Sequence, residues 1–184
     1  MKKNWLDQID DITAAFTAQF NGLTTEELNW KPSNDVWSIA QNMDHLIVIN
    51  ESYFPLIQQL KSGTLKTPML AKLGFVTNMF GKMILNASKP DRKKKIKTFP
   101  VWEPDQSHIA NIVERFAAHQ KALKSEIEAS GKLIDADAVI VSPANKNIAY
   151  KLETAFDIIV VHEQRHLEQA KELQELMSEK SQAA

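Results

Sequence analysis

His162 and His166 stand four residues apart in the string His162-Glu163-Gln164-Arg165-His166, and on a helix that spacing places one imidazole above the other on the same face. Both rings can then reach one ion, as a two-tooth chelate. Around them Leu152, Phe156, Ile159, Ala170, Leu173 and Met177 recur at helical spacing, so Glu163 and His166 occupy places where a core expects hydrocarbon. Burying unpaired imidazole and carboxylate costs on the order of a few kcal/mol, and a metal ion is one partner that offsets it. The chain has no cysteine, which removes disulfides, thiolate ligands and a cysteine nucleophile together. A metal here must be held by histidine or carboxylate.

The same string fits H-E-x-x-H, the zinc-peptidase helix in which the glutamate is the general base. That reading lacks its other parts. No histidine follows His166, Gln169 stands where one peptidase group requires glycine, and no strand pattern offers an edge for a peptide. Glu163 is then a candidate base, or an acceptor for a ligand imidazole N–H that orients His166. Arg165 reads as a surface charge or a partner for Glu168 or Asp44. A third ligand has to come from His45, His108 or His119. His108 falls in the first turn of its helix and reads as surface, while His45 and His119 both fall on apolar faces. Spacing leaves those two level.

The elements that must position these rings are helical. Apolar residues recur at three and four from about Asn4 to Phe20, and again from Ile39 to Leu60 behind a Ser38 cap, ending at Gly63. Gly22 to Asp35 reads as a loop with one turn at Thr25 to Glu27. Trp30 and Trp37 frame that loop, as staples or as the mouth of a pocket, and Tyr53 sits on the second helical seam. A third helix is expected behind an Asp105 cap, burying Ile109, Ile112, Phe116, Leu123 and Ile127 and ending at Ser130 and Gly131. Ser142 to Tyr150 reads as loop, and a last helix runs from Leu152 to Met177. Between Lys61 and Pro104, prolines and glycines mark a long crossover that carries one more amphipathic helix, Met69 to Leu85. The expected architecture is an all-α four-helix bundle, one domain over residues 1–184.

With 43% hydrophobic and 24% charged residues and a formal net charge of -1, no global field draws this protein to nucleic acid or to an anionic membrane. The basic run Arg92 to Lys95 lacks interleaved aromatics and reads as a solvated loop. No apolar run follows the first two lysines and none is long enough to span a bilayer, so a cytoplasmic protein is expected.

Two stretches carry a family resemblance: LNWKPSNDVWSIAQNMDHL, residues 28–46, and HEQRHLEQA, residues 162–170. In both, the chain resembles the DinB-like (DinB/YfiT) superfamily of four-helix-bundle metal-binding proteins. The resemblance implies one divalent ion, zinc or nickel, held by His45, His162 and His166. It also implies a metal-dependent transferase using a low-molecular-weight thiol, or a hydrolase, acting on a small-molecule substrate. Three imidazoles leave at least one coordination position open, as catalytic zinc sites do. Two other readings stand beside the enzyme: a stress-response or binding module with a structural metal, and a homodimer joined through the 69–85 segment.

Overall fold

The computed structural model describes residues 4–90 and 98–182, so the basic run Arg92 to Lys95 lies outside the described residues. The elements are α1 (Trp5–Phe20), α2 (Thr25–Asn29), α3 (Ile39–Glu51), α4 (Phe54–Lys61), α5 (Gly74–Ser88), α6 (Ile112–Glu128), α7 (Gly131–Asp135), β1 (Val139–Ser142), β2 (Asn145–Lys151) and α8 (Leu152–Gln182). Short 3-10 turns at Met69–Lys72 and Pro100–Trp102 lie in the crossover. The chain is all-α in class. Helix α1 packs on α6 and α8, and α3 packs on the same two, so these four helices close a ring.

Each of these helices turns its apolar seam inward. Ile9, Phe16 and Phe20 of α1, Met43 and Leu46 of α3, Ile112 and Leu123 of α6, and Leu152, Ala155 and Phe156 of α8 are all but sealed from solvent. Phe16 and Phe116 meet at a ring separation of 4.6 Å across the centre. Two capping boxes start helices cleanly. Thr24 and Glu27 close one at α2, and Ser38 and Gln41 close the other at α3, each satisfying two backbone N–H groups that would otherwise be orphaned.

Several boundaries differ from the sequence reading. The second helix is broken after Glu51, and α4 restarts with Pro55 in its first turn. A proline there has no N–H to give the preceding turn and its ring crowds the carbonyl it would meet, so α3 ends. Asp105 caps no helix. Its carboxylate accepts from the Ser107 N–H in a local turn, and α6 begins only at Ile112, after Asn111 in the left-handed region at φ 52°. The last helix runs on to Gln182.

The segment Ser142 to Tyr150 is a hairpin strand, not a loop. Strands β1 and β2 pair antiparallel with Ile140 opposite Tyr150, and the register shifts between Val141 and Ser142. Val139, Ile140 and Val141 are β-branched and prefer the pleat, and Pro143 supplies the fixed φ of a tight turn. Tyr150 reaches inward, where its hydroxyl lies 2.7 Å from that of Tyr53, so Tyr53 is core with a partnered hydroxyl.

Helix α5 of the crossover lies outside the ring, across α8 and β2. Gly81 sets that approach, since a Cβ there would sit 2.9 Å from Thr154 Cγ2 and 3.4 Å from Tyr150 Cβ. Gly81→Leu is therefore expected to push α5 off the hairpin and α8. A loss of about 1–3 kcal/mol in denaturant unfolding is the expected size, and an unchanged midpoint would show that α5 does not depend on this contact.

Candidate metal centre

Helices α3 and α8 bring His45, His162 and His166 together, and among the described residues one ligand atom from each lies within 4.8 Å of the others. The resemblance thus named the trio that converges. His119 is elsewhere, and His108 is exposed on the stretch before α6. His45 and His166 are buried and His162 is half-buried.

Hydrogen bonds at the outer nitrogens decide which lone pairs face inward. Nδ1 of His166 lies 2.7 Å from Asn42 Oδ1. The Asn42 amide has its own Nδ2 donating to the Ser38 carbonyl at 2.8 Å, which fixes its oxygen toward the ring. His166 Nδ1 therefore carries the proton, and its Nε2 offers a lone pair. His45 is set the same way, with Nδ1 donating to the Trp102 carbonyl at 2.6 Å. Trp102 belongs to the crossover, and its indole N–H donates to Ser52 Oγ at 3.2 Å. The adjoining backbone is tied to α3 as well: the Asp105 N–H donates to Asp44, and Gln41 Nε2 donates to the Asp105 carbonyl.

Nε2 of His162 and Nε2 of His166 are 3.1 Å apart. Two nitrogens bound to one tetrahedral ion at about 2.0–2.1 Å lie about 3.3 Å from each other, so the pair already has nearly the spacing of a chelate. The all-imidazole donor set fits a borderline divalent ion, zinc, nickel, copper and iron alike. Protonation does not compete near neutral pH. Burial pushes His162 down to about 3, with help from His45 and Arg165, and holds His166 well below and His45 below the usual range. Trp37 stacks on His166 at a ring separation of 6.1 Å and meets His45 tilted at 4.8 Å, and so covers the centre on that side. Trp30 is remote, with Lys180 over its ring.

Among the described residues Glu163 makes no hydrogen bond to these rings. Its oxygens accept from Asn50 Nδ2 at 2.7 Å and Gln120 Nε2 at 2.8 Å, fully buried between α3, α6 and α8. Burial pushes its carboxyl up to about 7, against the pull of the two amide N–H groups. Asn50 Nδ2 also lies 3.3 Å from Nε2 of His119, whose ring stacks on Phe54. Arg165 donates to the Ala87 carbonyl at the end of α5, and Asp44 is bound by Arg115 instead. Asn42 and the Trp102 carbonyl were invisible to motif reading. The one sequence signal for Asn42 is that it lies one helical turn before His45, on the ligand-bearing side of α3.

A family model described as the DinB superfamily matches residues 8–170. No curated protein and no solved structure matches the chain.

The buried histidines give the metal-free protein a defined acid response. Their pKa values in the folded chain lie below the value near 6.5 they take when unfolded, with His119 down to about 4 by burial. The unfolded chain therefore binds more protons below pH 6.5, and stability falls as pH drops from there toward 4. Glu163 acts in the opposite sense, since its raised pKa withdraws stability as pH rises from about 4.5 through 7. Replacing His119 by Asn is expected to flatten the acid limb by roughly one proton, about 1.4 kcal/mol per pH unit between pH 6 and 5. Urea melts of wild type and variant across that range measure it, and parallel curves would contradict the assignment.

Proposed function

The chain belongs to the DinB superfamily, and on that premise we propose that it is a metal-dependent transferase that moves a low-molecular-weight thiol onto a small electrophile. The observation that carries this reading is a convergent trio of neutral imidazoles, with the neighbouring Glu163 carboxylate turned away and held by two amides. A divalent ion bound there supplies Lewis acidity, which lowers the pKa of a coordinated thiol or water toward neutrality.

The protein's own residues do the rest. Asn42 and the Trp102 carbonyl hold two rings in the tautomer that presents Nε2, and Trp37 keeps water from that side. The half-buried His162 side is the entry for thiol and substrate. The thiol sulfur attacks an electrophilic carbon, a C–S bond forms, the bond from carbon to the leaving group breaks, and the thiol proton leaves with solvent. Hydrolysis is served less well, because a water nucleophile benefits from a general base. Glu163 is tied to two amides and Asp44 to Arg115 and the Asp105 N–H. A purely structural metal would call for a fourth protein ligand, which the trio lacks among the described residues.

Untagged protein is expected to carry about one divalent ion per chain by plasma mass spectrometry, and to conjugate a small thiol to an alkyl or aryl halide only when loaded. His45→Ala should abolish both. Stoichiometric metal with water-only turnover would sink the transferase reading while leaving the centre intact; a protein that binds no ion would sink both. Asn42→Leu, which frees the His166 ring and its tautomer, is expected to weaken metal affinity about 10–100-fold in a chelator competition. Asn42→Asp keeps an acceptor and should recover most of it.

A further inference from the structure

Helix α5 turns one stripe outward that no described residue covers. Phe75, Met79 and Met83 recur every four residues and so lie along a single line of the helix. Phe75 is 72% exposed, Met79 56% and Met83 53%, and Met69 in the turn before α5 is 83% exposed. Soluble surfaces scatter such residues singly; a row of them marks a contact face.

The chain segment that carries the stripe holds charge of one sign. From residue 52 to residue 90 there are five lysines and no aspartate or glutamate. Lys61 is held by Glu126. The other four, Lys66, Lys72, Lys82 and Lys89, are exposed and make no ion pair with the described residues. A net charge of -1 for the chain hides this asymmetry, because the acidic residues lie elsewhere.

We propose that α5 and the turn before it form a docking face for an anionic lipid surface, with Phe75, Met79 and Met83 entering the headgroup boundary and the four lysines bound to lipid phosphates and carboxylates. Charge complementarity selects this occupant. A second copy laid on the same face would set the lysines of this segment against their own kind. Shape agrees with the charge. Helix α5 packs on α8 and β2 and leaves its apolar stripe exposed, and a single exposed helix face suits a planar fluid surface, whereas a partner helix is taken up by a groove.

The test is co-sedimentation of the full-length, untagged protein with vesicles of phosphatidylcholine alone or with about one-third phosphatidylserine. Binding is expected only with phosphatidylserine, and release is expected at high salt. Each Lys→Ala change should weaken partitioning about fivefold, and the four together should remove it. Phe75→Ser, Met79→Ser and Met83→Ser combined should also remove it, with the thermal melt checking that the fold is kept. Equal binding to both vesicles, no binding to either, or lysine variants that bind like wild type would overturn the proposal. So would light scattering that shows a dimer which the serine variant dissolves. None of these readouts depends on metal or on turnover.

Discussion

Three imidazoles held neutral inside a helical ring are the constraint around which the rest is arranged. An imidazole deprived of water is costly unless each nitrogen has a partner, and the partners here come from three distant places. Asn42 of α3 serves a ring on α8, the backbone of Trp102 serves a ring on α3, and the inner nitrogens face one another. Helix α3 thus supplies one candidate ligand and the group that orients another, and its buried polar residues run along almost its whole length. The crossover is drawn in for the same reason. Without residues 102–106 lying on α3, His45 Nδ1, Asp44 and Gln41 would all lose partners.

A second polar layer lies beside the first and is chemically separate. Glu163 follows His162 in the chain, yet a helix turns each successive side chain by about 100°, enough to send the carboxylate to α6 while its neighbour meets α3. There it meets two amides rather than a ring. The motif H-E-x-x-H therefore splits into a histidine pair directed to one site and a glutamate directed to another. Adjacency in sequence is a poor guide to shared chemistry on a helix.

Helices with one regular apolar seam were legible in the sequence: α1, the start of α3, the body of α6 and α8 follow from spacing alone. The histidine pair was legible for the same reason. The third ring was not, because His45 and His119 both lie on buried faces and only tertiary packing separates them; the resemblance at residues 28–46 decided it. The hairpin was missed because its β-branched run is short and β2 begins with Asn145, Lys146 and Asn147, which resemble loop. Pro55 was visible and should have ended α3. Asn42 and the Trp102 carbonyl lay beyond reach, since an amide reads as surface and a carbonyl has no letter at all.

The two helices that meet at the centre come from the first and last thirds of a chain that has no cysteine. An ion shared between residue 45 and residues 162 and 166 would act as a reversible cross-link closing more than half the polypeptide into a loop. Loops of that size cost an unfolded chain several kcal/mol of freedom, about what a long-range disulfide withholds. Occupancy would then govern how long the fold survives, and a cell that withdrew the ion would loosen the whole ring.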